Sequence, residues 1–167
     1  MSAALPDRVD VARQVQARRI YEGTLPLSAM PRLRGALAAV DGEVRYHVEF
    51  GKDGLGVSYL GLRADAELPL LCQRSLEVFS LPVSIDGRLG LIDDERDEAA
   101  LPPGYEPLLV EGGVVNLAEV IEDELILAVP VVPTKPGAPL EWHDVADEEP
   151  AEKPVNPFSV LAGLKKN

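Results

Sequence analysis

Side chains over residues 43–85 alternate between apolar and polar, and this alternation limits the possible folds more than any other feature of the chain. A period of two is typical of a strand that buries one face and exposes the other. The alternation runs over 43–50, resumes over 55–72 and returns over 79–85. Because the connections between these runs are short, we expect an antiparallel sheet, barrel-like in form. The apolar residues of the first run are Val44, Tyr46, Val48 and Phe50.

Turn-forming residues and prolines mark the limits of these strands. We expect a glycine-rich turn at 51–54 and a second turn over 73–75 that joins the next two strands. Pro69 and Pro82 lie inside the strand patterns, and proline has no N–H to donate to a neighbouring strand. We therefore expect these parts of the strands to lie at a sheet edge or a bulge. A further strand is predicted over 18–25.

Two helices are predicted before the sheet. A short helix over 7–16 would begin with Asp7 as its N-cap, because a carboxylate accepts hydrogen bonds from the free N–H groups of the first turn. A second helix would begin at Ser28 and end near residue 39. Its apolar side chains recur at helical spacing at Met30, Leu33 and Leu37.

The clearest helical pattern in the chain begins at Asn116. Asparagine is a favourable N-cap, and Glu119 three residues later completes a capping box. Pro130 is expected to end this helix. Glu119, Glu122 and Asp123 fall outside its apolar stripe, so we expect them to face water. The stripe consists of Leu117, Val120, Ile121, Leu125 and Ala128, widened by Ile126 and Leu127.

Proline and acidic residues divide the chain into three predicted parts. Residues 1–129 are expected to form a single α+β domain in which a few helices pack on the sheet. Seven of the 15 prolines lie between 130 and 157, together with a run of acids. This composition predicts an extended, acidic, proline-rich tail over 130–155. A short C-terminal helix is predicted over 156–167, where an asparagine cap is followed by proline.

The formal net charge of −12 is distributed unevenly. Residues 1–60 carry +1 and residues 61–167 carry −13, whereas the stretch 8–34 alone carries +4. An acidic chain is a poor general binder of nucleic acid, since phosphate affinity needs Lys and Arg. The local excess of arginine permits one RNA contact, although the same arginines could be ordinary solvated charges. The candidate contact residues here are Arg13, Arg18, Arg19, Arg32 and Arg34.

Residues that carry catalysis or hold metals are sparse. The two histidines, His47 and His143, are far apart in sequence, and His47 falls on the polar side of its strand. The single Cys72 excludes an intrachain disulfide and a cysteine-rich zinc site. The acids at 122–124 could bind a hard cation or could form a solvated helix face. We therefore predict a protein that is not an enzyme, with no catalytic residue, cofactor, metal or small-molecule substrate.

Hydropathy argues against a membrane partner. No apolar run reaches the roughly 20 residues that a membrane-spanning helix needs. The first residues, MSAALPDRVDVARQVQ, lack the apolar stretch of a signal peptide. We therefore expect a cytoplasmic protein.

Two sequence motifs occur in a fixed order in the second half of the chain. The first is NLAEVIEDELILAVP over 116–130, preceded by ALPPGYEP over 100–107, and the second is NPFSVLAGLK over 156–165. In order and spacing these motifs resemble the bacterial YceD family, the large ribosomal RNA subunit accumulation proteins. The resemblance extends over essentially the whole chain, through Pro6, Asp7, Arg18, Gly23 and the LCQR sequence at 71–74.

The resemblance implies a cytoplasmic, non-enzymatic ribosome-biogenesis factor that supports the synthesis, processing or stability of large-subunit (23S) rRNA. It implies no catalytic residues for this chain. Many members of the family place a second cysteine three positions after the first, whereas this chain has Ser75 there. With one cysteine left, the resemblance implies no zinc knuckle in this chain.

Two hypotheses about the partner remain open. In the first, the stretch 8–34 contacts large-subunit rRNA or its precursor particle. In the second, the protein is an acidic adaptor or chaperone that holds a basic ribosomal protein through the acids of 141–152. The C-terminal motif could dock on a partner or fold back on the sheet. Its candidate contact residues are Asn156, Pro157 and Phe158.

Overall fold

The computed structural model describes residues 5–137, in which seven strands and two α-helices are formed. They are β1 (Val9–Asp10), α1 (Val11–Ala17), β2 (Ile20–Pro26), β3 (Glu43–Lys52), β4 (Ser58–Leu71), β5 (Val78–Ile92), β6 (Glu106–Leu109), β7 (Val114–Val115) and α2 (Leu117–Ala128). Short 3₁₀ turns lie at Leu27–Ala29, Leu33–Ala36, Glu95–Ala100 and Glu111–Gly113. Neither α1 nor α2 is long and apolar enough to cross a membrane. The predicted helix over 156–167 and most of the predicted tail lie outside the described residues.

The main sheet has five strands in the order β2-β3-β4-β5-β6, and a second small sheet joins β1 to β7. The pairs β2–β3, β3–β4 and β4–β5 are antiparallel, whereas β6 runs parallel to β5. A parallel partner needs a crossover of about a dozen residues, which the chain provides over 93–105. The α+β class is therefore confirmed, but the all-antiparallel, barrel-like form is wrong. The sheet is mixed and open, with β2 and β6 at its edges.

One face of the sheet carries the hydrophobic core. The predicted alternation in β3 is confirmed, with its apolar residues buried and their neighbours exposed or half-buried. Instead of closing on itself, the sheet is covered by α2 and by the segment that follows β2. The covering side chains include Leu27, Leu33, Leu117, Ile121 and Leu125, all completely buried in one cluster with the strands.

The two strand prolines lie where the sheet leaves one side of a strand without a partner. Pro69 in β4 pairs with Ser80 of β5, but the pairing of β4 with β3 ends at Ala66. Pro82 in β5 pairs with Glu67 of β4, far from the end of β5 that meets β6. Each proline therefore has one strand neighbour, as its missing N–H led us to expect.

The first helix begins later than predicted. Asp10, rather than Asp7, is the N-cap, and its carboxylate accepts a hydrogen bond from the N–H of Arg13 at 2.8 Å. The residues before it are extended because Val9 pairs with Val115 in the small sheet. A pairing partner more than a hundred residues away leaves no local signal in the sequence.

The predicted helix over 28–39 is wrong. Two 3₁₀ turns replace it, and the backbone at Met30 between them is not helical. Pro31 lacks the N–H that a continuing helix would need, and its ring disfavours the helical conformation of the residue before it. The apolar residues of the segment, Leu27, Met30 and Leu33, are nonetheless buried.

Helix α2 has the predicted cap and a different burial pattern. The Asn116 amide oxygen accepts from the N–H groups of Ala118 (3.0 Å) and Glu119 (3.3 Å), and its amide nitrogen donates to the Glu119 carboxylate. Two expectations about this helix are wrong. Glu122 is only 3% exposed, whereas Leu127 is 75% exposed.

Candidate functional site

Three of the predicted arginines lie on or directly after α1. Arg13, Arg18 and Arg19 are all exposed. Arg18 ends the helix in the left-handed conformation, with φ of 47°, so that the chain turns sharply into β2. The Arg19 guanidinium lies 5.9 Å from the centre of the Tyr21 ring, which is within the range of a cation–π contact.

The exposed face of the sheet contains a groove of about 880 Å³ that Arg19 shares with two arginines from the strands. Arg45 projects from β3 and Arg63 from β4, both exposed. Residues paired across antiparallel strands have neighbouring side chains, and the register sets Arg45 opposite Asp65 and Arg63 opposite His47. Three arginines and two carboxylates, those of Glu22 and Asp65, therefore line this groove. We call it the arginine groove.

Contacts between basic and acidic side chains in and beside the arginine groove are few and accessible to solvent. His47 Nδ1 lies 3.6 Å from a carboxylate oxygen of Glu22, and Arg63 Nε lies 3.3 Å from one of Asp86. Arg45 has no carboxylate within 4 Å among the described residues. Exposed pairs of this kind contribute about 1 kcal/mol or less, so a phosphate could replace them. The groove therefore exposes three guanidinium groups beside two carboxylates.

Arg32 is engaged with α2. The buried carboxylate of Glu122 accepts hydrogen bonds from the backbone N–H groups of Arg32 (2.6 Å) and Leu33 (3.0 Å), and also from Arg32 Nε (3.2 Å). The remaining guanidinium nitrogens of Arg32 donate to the Asp123 carboxylate and to the carbonyl oxygen of Glu119. Arg32 therefore ties the segment after β2 to α2 and lies outside the arginine groove.

Of the five predicted arginines, only Arg19 lines the arginine groove. Arg34 is exposed on the second 3₁₀ turn, beyond the end of β2 opposite to Arg19. The seven residues of β2, which span about 20 Å, lie between the two arginines along the chain, and Arg34 does not line the arginine groove. Asn156, Pro157 and Phe158 lie outside the described residues, and their contacts stay predictions.

The single cysteine lies in the turn between β4 and β5. Cys72 is completely buried, and its sulfur accepts from the N–H groups of Lys135 (3.4 Å) and Ser75 (3.5 Å). These donors lower the pKa of the Cys72 thiol to about 6, although burial works in the opposite direction. The N–H of Gln73 donates to the carbonyl oxygen of Pro133. The chain after α2 therefore packs against this turn, which the sequence analysis did not foresee.

The acids at 122–124 do not surround an open position for a cation, because Glu122 and Asp123 both bind the Arg32 guanidinium. Glu122 is directed at the N–H groups of the segment after β2, and Asp123 at Arg32. Over residues 5–137 no group of three or more His, Cys, Asp or Glu side chains is placed to hold a metal ion.

Arg45 and Arg63 were not among the predicted contact residues, which were restricted to bases within 8–34. A signal for them exists, because both alternate with core residues in a strand and must therefore lie on the exposed face. Arg19 comes into the same groove because β2 pairs with β3, a pairing that residue spacing alone does not predict.

Comparison with known proteins agrees with the sequence motifs. The profile of the family described as "Large ribosomal RNA subunit accumulation protein YceD" matches residues 60–165. A protein of that name from Haemophilus influenzae (strain ATCC 51907 / DSM 11121 / KW20 / Rd) is 30% identical over 169 residues, with 97% of both chains covered. No solved structure matches the chain significantly. The family match over most of the chain and the relative that spans nearly all of it lead to one conclusion: the chain belongs to the YceD family of large ribosomal RNA subunit accumulation proteins.

Proposed function

We propose that this protein is a non-enzymatic, cytoplasmic ribosome-biogenesis factor that supports the accumulation of large-subunit (23S) rRNA. One observation carries the proposal: the alignment with a large ribosomal RNA subunit accumulation protein covers 97% of both chains. Such coverage leaves no large part of the relative without a counterpart here. The name of the family describes the accumulation of an RNA and no chemical reaction.

The arginine groove is the surface that we propose for contact with the RNA. Guanidinium groups bind phosphate oxygens through paired N–H donors, and Arg45 has no competing ion pair within the described part of the chain. Arg13 and Arg18 would extend the contact along α1. The carboxylates of Glu22 and Asp65 lie in the same groove. They would oppose indiscriminate binding, because each one repels the phosphate backbone.

Depletion of the protein in its own bacterium tests the proposed function. The ratio of mature large-subunit rRNA to small-subunit rRNA should fall as the protein disappears, and it should recover when the protein is supplied again. The small-subunit rRNA is the internal control for general effects on transcription and growth. A ratio that stays constant through depletion would remove the basis of the proposal.

A second candidate function, an acidic adaptor for a basic ribosomal protein, is favoured by the acids around α2. The pKa of Glu124 is raised by burial and by the neighbouring carboxylates of Glu106 and Asp123. The three carboxylates therefore lie close enough near α2 to repel one another. Isolation of the tagged protein, with and without ribonuclease, separates the two candidates. A basic protein retained after ribonuclease favours the adaptor, and loss of all partners favours contact through RNA.

A further inference from the structure

A second groove, of about 470 Å³, lies between β6, β7 and the first turns of α2. Apolar side chains form part of its wall, and Leu109 is 39% exposed there although it belongs to a strand of the main sheet. The groove is on the β6 edge of the sheet, whereas the arginine groove involves β2 at the other edge. We call it the acidic groove. The apolar residues that line it are Leu108, Leu109, Val114, Val115 and Val120.

Carboxylates outnumber bases at the acidic groove. Glu111, Glu119 and Asp123 line it against one base, Arg8. Asp123 is paired with Arg32, and Glu119 accepts a hydrogen bond from the Asn116 amide. Glu111 is exposed and has no ion pair within 4 Å in the part of the chain that the structure describes. The groove therefore combines an apolar surface with negative charge that protein contacts only partly neutralise.

Further carboxylates stand next to this groove. Glu106 lies at the start of β6, and Glu124 lies one turn after Val120 on α2. Burial raises the pKa of Glu124, and the neighbouring carboxylates of Glu106 and Asp123 raise it further. A positively charged occupant would relieve this repulsion, whereas an RNA phosphate would increase it. A second copy of a chain with a net charge of −12 would also be repelled.

The edge of β6 restricts how an occupant could be held. Pro107 has no N–H to donate, and β6 has only four residues. A strand of this kind is a poor template for the addition of another strand. Recognition would therefore depend on side chains: apolar groups against Leu109 and its neighbours, and ammonium or guanidinium groups against the carboxylates.

We propose that the acidic groove binds a lysine- or arginine-rich segment that also carries apolar side chains, from a basic protein partner. This inference deepens the adaptor candidate above and does not depend on the arginine groove. It gives the protein two separate surfaces, one suited to a polyanion and one to a polycation. The groove volume is within the range of sites that hold a few side chains.

A labelled synthetic peptide rich in lysine with several leucines is the probe, and fluorescence anisotropy with the full chain measures its affinity. The test variant is Glu111→Gln/Glu119→Gln, in which the glutamine at 119 can still accept from Asn116. The matched control is Glu95→Gln/Glu98→Gln, which removes the same charge from an exposed 3₁₀ turn that does not line the groove. We expect about fivefold weaker binding by the test variant and little change in the control.

Two further measurements show whether the peptide binds in the acidic groove. A peptide with serine in place of each leucine should bind more weakly, and NMR shift changes with the leucine peptide should centre on Leu109, Val114 and Val120. Equal affinities for the test and control variants would overturn the proposal. So would protection of the groove amides by residues 156–167 in the free protein. None of these results depends on the rRNA ratio, so the proposed function is tested separately.

Discussion

Glu122 joins two parts of the fold that are about ninety residues apart in sequence. Its carboxylate lies in the core, and it accepts from two backbone N–H groups and from the Arg32 side chain. The segment after β2 forms no α-helix, so these N–H groups have no helical acceptor. Burial of a carboxylate is tolerated here because three donors and one positive charge surround it.

Replacement of Glu122 tests this role at the residue scale. Glu122→Ala should lower the free energy of unfolding by about 3 kcal/mol, because it leaves two backbone N–H groups without an acceptor and Arg32 without its buried partner. Asp123→Ala removes the exposed partner of the same arginine and should cost less than about 1 kcal/mol. Urea unfolding of the three proteins measures both values. Equal losses in the two variants would contradict the account.

Cys72 should make stability depend on pH. Its pKa of about 6 in the folded chain lies below that of a cysteine in an unfolded chain, about 8.5. The unfolded state therefore binds more protons between these values, so stability should rise with pH across this window and should be lost as pH falls through 6. Cys72→Ser should remove this contribution, because serine does not titrate there.

Two measurements check the prediction for Cys72. Urea unfolding at pH 6 and at pH 8 should give a larger stability gain for the unaltered chain than for Cys72→Ser. Thiolate absorbance near 240 nm should titrate below pH 7, and the signal is clean because the chain has one cysteine. Parallel stability profiles, together with a thiol that titrates above 8, would show that the N–H groups of Lys135 and Ser75 do not stabilise the thiolate.

Among the elements, those whose pattern is local were predictable from the sequence. The strands β3 and β4 follow from alternation, and the N-terminus of α2 follows from its capping box. Alternation predicted β5 only over 79–85, and its continuation to Ile92 was not predicted. By contrast, β6 has only four residues, too few for a period to be read, and its parallel pairing depends on the crossover before it. The segment after β2 has helical spacing, but Pro31 prevents a continuous helix.

In the candidate site, too, the sequence predicts only those positions that depend on a local pattern. Strand alternation places Arg45 on the exposed face, but only the pairing of β2 with β3 brings Arg19 beside it. A helical stripe predicts that Glu122 faces water, since charged side chains usually do. Its burial depends on N–H groups that a distant segment leaves free, and no pattern within α2 contains that information.

Close packing between β3 and β4 gives a prediction at the element scale. A methyl group added at Gly51 would lie 2.6 Å from the ring of Tyr59, its register partner. That ring also contacts Arg88 and Tyr105, so it cannot move freely. Gly51→Ala should therefore destabilise the protein by about 2 kcal/mol.

The matched control for Gly51 is Gly61→Ala in the neighbouring strand. Its added methyl group would meet the flexible end of the Glu49 side chain, which can move away at little cost. We expect a change of less than about 1 kcal/mol, measured by thermal unfolding followed by circular dichroism. A Gly51 variant as stable as the Gly61 variant would show that the Tyr59 ring adapts more readily than the packing indicates.

At the scale of the whole molecule, charge is separated between the two edges of the main sheet. The arginine groove extends over the exposed face from the β2 edge to β4, and the acidic groove lies at the β6 edge. A net charge of −12 therefore conceals a local cluster of three exposed arginines. Under the two proposals above, RNA would contact the arginine groove and a basic protein would contact the acidic groove.

The separation predicts how the purified protein should bind RNA. Arg19→Glu/Arg45→Glu should weaken binding to a large-subunit rRNA fragment at least about tenfold at low salt, and it should reduce the salt dependence. Arg34→Glu/Lys52→Glu makes the same charge change at exposed positions outside the groove and should have a much smaller effect. Fluorescence anisotropy over a salt series measures both. Similar losses for the two variants would indicate a response to net charge alone.

Complementation of a depleted strain tests the central claim most directly. Cells that lack their own copy would express the unaltered chain, Arg19→Glu/Arg45→Glu or Arg34→Glu/Lys52→Glu at equal protein levels, and the ratio of large-subunit to small-subunit rRNA would be measured. We predict that the first variant leaves this ratio low, while the unaltered chain and the second variant restore it. Full restoration by Arg19→Glu/Arg45→Glu would contradict the claim that the protein supports large-subunit rRNA through the arginine groove.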